Sequence, residues 1–205
     1  MKSGEATVVK NAGSHYLLSE LPAWDLFPAV LRGKVRLKAS EITNPVAVGD
    51  RVRYEWADDG DSAVITEILP RRNYVIRRST NLSRQAHIIA ANVDRAYLVV
   101  SLFFPEVKLP FLDRILVTCE LYGIPATIVL SKTDLYREPA GQEIAHFKAI
   151  YEGAGYPVIE TSVKTGEGID AIREACQGRV NLFSGESGVG PVPGGAAGQG
   201  AAQSQ

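Results

Sequence analysis

A chain of 205 residues with 45% hydrophobic content can bury one large core or two small ones. Its 22 Lys/Arg against 23 Asp/Glu exclude a uniformly basic nucleic-acid binder. The charge is uneven: residues 1–90 carry 13 basic and 10 acidic side chains, residues 91–190 carry 9 and 13, as in two domains with different partners.

Cys119 and Cys176 have no CxxC or Cys/His spacing, and His15, His87 and His146 are scattered, so neither a disulfide framework nor a zinc site is indicated. There is no 18-residue apolar run and no basic-then-apolar leader. The expectation is a soluble, unexported, cytoplasmic protein without a membrane partner.

Residues 5–72 read as β structure. Two short runs flank Asn11-Ala12-Gly13, a hairpin signal, and "GDRVRYEWADDGDSAVITEIL" repeats the pattern with its turn at 58–61. Several short strands at this spacing predict a small barrel or sandwich. Residues 73–92 show no clear period and read as a linker. From Asp94 the pattern changes. "RAYLVVSL" is a continuous apolar strand, and "LPFLDRILVTCELYG" follows with Phe111, Leu112, Ile115, Leu116 and Cys119 at helical spacing. Strands at "PATIVL", "YPVIETS" and "RVNLFSG" alternate with helices around 138–154 and within "GEGIDAIREACQG". Such alternation means βαβ units and a parallel sheet over 93–190. The stretch 191–205 has no charge, aromatic or period and is expected to be disordered.

Three loops follow three of these strands. Ser131, Lys132, Thr133 and Asp134 stand at the end of "PATIVL", where an aspartate can accept from the ring N–H and exocyclic amine of guanine together. A plain helix cap is the alternative. Thr161 to Gly168, "TSVKTGEG", ends the next strand and can offer backbone N–H groups to a base oxygen; here the alternative is a helix N-cap by Thr165. "GESGVG", Gly185 to Gly190, has the glycine spacing of a phosphate loop, GxxxxGK[ST], but Pro191 and Val192 stand where Lys and Ser/Thr belong.

Taken together, the base-reading loop, the TSVKTGEG-type loop and the GxSGVG loop occur in an order that resembles the circularly permuted GTPases. With the β-rich front carrying "RGKVR" and "NPVAVGDRV", the chain is similar to the RsgA (YjeQ) family of small-subunit-dependent ribosome-assembly GTPases, from about residue 5 to Gly190. The resemblance implies an N-terminal OB-fold barrel (1–72) that contacts ribosomal RNA, followed by a partial circularly permuted P-loop GTPase domain with a parallel sheet (93–190). By that resemblance Lys132 and Asp134 read guanine, with Ser131 and Thr133 in the same motif; Ser162, Val163 and Lys164 flank the base. Gly185, Glu186, Ser187, Gly188, Val189 and Gly190 wrap the phosphates of GTP or GDP, with Mg²⁺. The implied partners are the small ribosomal subunit with its rRNA and a guanine nucleotide, and the expected state is a monomer.

Two departures stand out. The family's base motif is NKxD, whereas Ser131 replaces the Asn. Beyond Gly190 the family form implies the loop's Lys and Ser, two switch regions, two further strands and a zinc-binding terminal domain. The chain therefore reads as C-terminally incomplete, with no metal site of its own and no catalytic residue, and hydrolysis by it as improbable. The four remaining strands are expected to be neighbours, with "RVNLFSG" as an edge.

The front half offers a separate function. Arg32, Lys34, Arg36 and Lys38 alternate, so an extended strand puts them on one face; Arg71 and Arg72 open a second basic stretch with no acid before residue 84. Such cations neutralise RNA phosphates, and Tyr54, Trp56 and Tyr74 are candidates for base stacking. A solvated strand face with the aromatics in the core is the alternative. The rival functions are a non-enzymatic RNA-binding fragment and an unrelated OB-fold protein with a plain α/β back domain.

Overall fold

The computed structural model describes residues 2–23, 25–33, 45–56, 60–78, 86–185 and 188–189. The chain divides into two compact units, residues 1–93 and 94–205.

The first unit is built on a closed five-stranded barrel in the order β1-β2-β3-β5-β4. Its strands are β1 (Ser3–Ala12), β2 (His15–Ser19), β3 (Leu26–Leu31), β4 (Arg51–Trp56) and β5 (Ala63–Ile68). The ten-residue β1 closes the barrel because it pairs antiparallel with both β2 and β4, with a register shift between Val8 and Lys10 on the β2 side. Such an irregularity bends a strand and raises its twist. β3 and β5 pair in parallel. Alternate residues point inwards: Ala6 and Val8, Tyr16 and Leu18, Val52 and Tyr54, Ala63 and Ile65 form one buried cluster. Tyr54 is therefore a core residue and not a stacking surface. It is 1% exposed, its ring centroid lies 4.9 Å from that of Phe27, and its hydroxyl donates to Glu20. Trp56 packs against the same cluster, while Tyr74 is 40% exposed.

Residues 73–92, which lack a visible period, hold the antiparallel pair β6 (Tyr74–Arg78) and β7 (Ala86–Ala91). A polar cluster ties them to the loop before β4. Asp50 is fully buried, accepts from the Ala47 N–H at 2.8 Å, and takes a bidentate contact from Arg71 at 2.6 and 2.7 Å. Arg71 also donates to the Pro45 carbonyl at 2.8 Å. Hydrogen bonding to Asp50 raises the Arg71 pKa further above its ordinary value. Asn92 adds a bond to the Gly49 carbonyl, and Asn73 bridges both main-chain groups of Val93.

The second unit contains four parallel strands in the order β10-β9-β8-β11. In chain order it runs β8 (Arg95–Val100), α1 (Leu109–Leu121), β9 (Ala126–Leu130), α2 (Thr133–Tyr136), α3 (Gly141–Gly153), β10 (Val158–Glu160), α4 (Ile169–Cys176) and β11 (Asn181–Gly185). All five residues of β9 are buried, as a central strand covered on both faces requires. Tyr97, Val99 and Val129 pack with Ile172 of α4, and Phe183 stacks on Tyr97 at 4.9 Å. α1 buries Leu112, Leu116 and Cys119, and α3 buries Ile144, Phe147 and Tyr151, each set at helical spacing. Burial pushes the Cys119 thiol up to about 11, which keeps it protonated and unreactive at neutral pH. Among the described residues β11 is an edge strand, paired only with β8, and no helix is long and apolar enough to cross a membrane.

Two substitutions test this packing. Asp50→Ala leaves Arg71 without its counter-charge and Ala47 without its acceptor. It should destabilise the first unit by about 3 kcal/mol or more, the cost of breaking a buried pair. Both tryptophans, Trp24 and Trp56, lie in that unit, so urea unfolding followed by tryptophan fluorescence reads it out; a loss below about 1 kcal/mol would contradict the role given to the pair. Gly168 precedes α4 at φ +71°, and a Cβ there would sit 2.1 Å from the Glu160 carbonyl oxygen. Gly168→Ala should cost about 1–2 kcal/mol from the left-handed backbone alone, with the overlap adding to it, measurable as a lowered Tm.

Candidate nucleotide site

Parallel pairing places the four strand ends side by side. Val100, Leu130 and Glu160 are in register, and Gly185 lies opposite Val99. The segments that follow two of these strands, Ser131–Asp134 and Thr161–Lys164, therefore emerge together at the carboxyl edge of the sheet, where open α/β sheets bind ligands, and Gly188 and Val189 lie against the first of them.

These loops bond to one another. The Ser162 hydroxyl donates to Asp134 Oδ1 at 2.6 Å. Both the N–H and the hydroxyl of Thr133 lie 3.2 Å from the Thr161 carbonyl. Lys132 is held at φ +60°, and its Nζ donates to the carbonyls of Gly188 at 2.5 Å and Phe104 at 2.6 Å. Ser131, 8% exposed, sits with Oγ 2.9 Å from the Val100 carbonyl and 2.7 Å from that of Val189, so its one proton serves either the end of β8 or the loop beyond β11. Ser131, standing in place of the Asn of NKxD, is thus in direct contact with the glycine loop.

A cavity of about 390 Å³ opens between the three loops, lined by Ser131, Lys132, Asp134, Val163, Lys164 and Val189. Its walls combine a carboxylate already oriented by a hydroxyl, two lysines and aliphatic surface, the setting for a flat polar heterocycle with exocyclic groups. Behind it, Gly185 runs close to β8: a Cβ there would meet the Val99 carbonyl oxygen at 2.7 Å. Glycine at this position allows the loop to leave the sheet against its neighbour. The Ser162 loop is closed internally, with Ser162 N–H donating to the Glu167 carbonyl and Gly166 N–H to that of Ser162. Thr165 N–H reaches Ser162 Oγ at 3.2 Å and the Thr165 hydroxyl accepts from the Glu167 N–H at 3.4 Å, so both side chains serve this turn, while the residue capping α4 is Gly168.

Glu186, Ser187, Gly190, Pro191 and Val192 lie outside the described residues, as do Lys34, Arg36 and Lys38. Of the basic residues read as an RNA face, Arg32 pairs with Glu55 at 3.3 Å, and the exposed Arg72 donates to the Asn92 carbonyl. Arg71 differs from expectation: its side chain is 17% exposed, drawn inwards by the buried Asp50. β4 presents Arg51 and Arg53, which pair with Glu5 and Glu67 of the flanking strands.

Several contributors have no motif of their own. The Phe104 carbonyl belongs to the loop after β8 and is a main-chain group, invisible in the side-chain pattern. Tyr136 lies inside the base-loop segment and donates its hydroxyl to the Ser131 carbonyl. Arg137 joins Glu160 at 2.9 Å and Glu167 at 2.7 Å, linking the residue after α2 to both ends of the Ser162 loop.

Known proteins resemble this chain in sequence and in fold. The family described as RsgA GTPase matches residues 68–191. A small ribosomal subunit biogenesis GTPase RsgA from Bacteroides fragilis is 46% identical over 183 residues, covering 89% of this chain and 58% of its own length. Its namesake from Porphyromonas gingivalis is 41% identical over 91% of this chain and 59% of its own length. The chain thus spans about three fifths of the curated relatives it matches. The crystal structure of YjeQ from Thermotoga maritima superposes with a TM-score of 0.75 at 32% identity, covering 92% of this chain and 62% of that one. YloQ, a circularly permuted GTPase, gives 0.70 at 28% identity with the same coverage. With its barrel and its permuted order of base loops before glycine loop, the chain belongs to the RsgA GTPase family.

Proposed function

We propose that this chain is the RNA- and guanine-nucleotide-binding portion of a GTPase that assists maturation of the small ribosomal subunit in the cytoplasm, acting as a monomer. The observation that carries the nucleotide half is the Ser162–Asp134 contact at the mouth of the cavity. A carboxylate fixed by a hydroxyl there can accept from N1–H and the exocyclic amine of guanine; adenine offers no such pair of donors. Lys132 and Val163 flank the base plane, main-chain groups of 162–164 face its oxygen, and Gly185 to Gly190 take the phosphates. In this assignment residues 93–190 form the nucleotide domain and 1–72 the RNA domain, with β6 and β7 attached to the latter.

GTP is the substrate of the family, and Mg²⁺ neutralises its β- and γ-phosphates when bound. This sequence has Pro191 and Val192 where the loop cation and metal-holding hydroxyl belong. Proline carries no charge and lacks an N–H. That observation favours a chain that binds guanine nucleotide without hydrolysing it efficiently.

Competition for a fluorescent GDP analogue tests the base assignment. GDP should displace it at least tenfold better than ADP, and Asp134→Ala should abolish that preference. Equal displacement by ADP from the unaltered chain would overturn the reading. For the RNA half, the proposed contacts are Arg32, Lys34, Arg36, Lys38 and Arg72. Charge reversal of Arg36 and Lys38 should weaken small-subunit RNA binding and flatten the plot of log K against log[salt]. The slope should fall by about 0.7–0.9 for each phosphate no longer neutralised. An unchanged slope would move the RNA surface elsewhere.

A further inference from the structure

A groove of about 900 Å³ runs between α1 and α3 on the second unit, away from the residues assigned to the nucleotide. Leu116, Phe147 and Tyr151 form its buried floor, and Leu109, Val117 and Ile150 line it while remaining 46%, 65% and 51% exposed. Contiguous aliphatic side chains on two neighbouring helices mark an interaction surface, whereas single exposed ones do not. Of the Asp, Glu, Lys and Arg side chains, only acidic ones line the groove, beside His146: Glu106 from the loop after β8, Asp113 on α1, which also accepts from the Tyr151 hydroxyl, and Glu143 on α3.

We propose that this groove docks a protein segment that folds as a basic amphipathic helix. An apolar stripe at i, i+3, i+4 and i+7 fills the channel between two helices, and flanking Lys or Arg reach the three carboxylates. α1 and α3 have 13 residues each, about 20 Å of axis, enough for between three and four turns of a third helix. The charge pattern decides between occupants. RNA would bring phosphates against three carboxylates with no lining Lys or Arg to receive them. A second copy docking the same face on a two-fold axis would set acidic rim against acidic rim. A basic helix alone satisfies both the apolar floor and the acidic rim.

The test uses the whole chain, labelled with ¹⁵N, and two helical peptides of about 14 residues, long enough to span the groove. Both share a leucine stripe; one carries Lys on its flanks, its twin Glu. The Lys peptide should shift the amide resonances of 113–117 and 143–150, and the twin should leave them unchanged. Glu106→Lys combined with Glu143→Gln should weaken the Lys peptide at least tenfold, and so should Val117→Asp, with an unaltered Tm showing that each variant is folded. Equal binding of the two peptides would reduce the groove to a sticky surface and overturn the proposal. So would the absence of groove shifts at millimolar Lys peptide, shifts at those residues caused by an RNA oligonucleotide, or groove shifts that accompany self-association without peptide.

Discussion

Parallel pairing of β9 with both β8 and β10, and of β8 with β11, is the constraint on which the candidate site depends. Antiparallel neighbours would send alternate loops to opposite edges; four parallel strands deliver every following loop to one edge. Because Val100, Leu130 and Glu160 are in register, those loops start within reach of each other's main chain. Their carbonyls then become mutual acceptors: Thr161 serves Thr133, Gly188 serves Lys132, and Val189 serves Ser131. Each bond satisfies a group that would otherwise need water in a partly enclosed place. The site is therefore assembled by the sheet and locked by its loops.

The first unit depends on charge compensation in the same way. Arg51 and Arg53 meet glutamates on neighbouring strands, Arg32 after β3 meets Glu55 of β4, and Arg71 meets Asp50 inside. The exposed pairs contribute little stability, since water and salt screen them and long side chains lose freedom. Their consequence is electrostatic: the described strands of the barrel present a surface close to neutral. A polyanion approaching this unit finds its net attraction from cations that these glutamates do not cover.

Legibility in the sequence tracked the periodicity. Continuous apolar runs such as "TIVL" announced buried parallel strands, and alternation in "RVRYEW" announced a barrel strand. The same alternation placed Tyr54 two residues after Val52, hence inwards with it; the stacking role was outweighed by a two-residue period already present. Residues 73–92 were harder because β6 and β7 shift register between Val75 and Ile76, which breaks the period that would reveal a strand. The loops at the sheet edge were legible as motifs, with Asp134 and Ser162 after separate strands. Their contact was not, because it joins positions 28 residues apart through the fold. Arg71 illustrates the same limit. As a letter it extends a basic run, and only the burial of Asp50, 21 residues earlier, turns it inwards.

Base recognition and phosphate binding are separable in this architecture. Among the described residues, the hydrogen bonds that shape the cavity run between 131–136 and 160–168 and reach the glycine loop at the carbonyls of Gly188 and Val189. Main-chain acceptors depend on the path of the loop and not on its side chains. If the glycine loop takes phosphate as proposed, Pro191 changes the charge and N–H groups offered there, whereas these two acceptors belong to Gly188 and Val189. On the proposed reading, selectivity for guanine lies in Asp134 and the Ser162 loop, and affinity for the phosphates is set beyond Val189. A chain with the first set intact and the second changed should keep its preference between bases even where its overall affinity is low, since a ratio of affinities cancels the phosphate contribution common to both nucleotides.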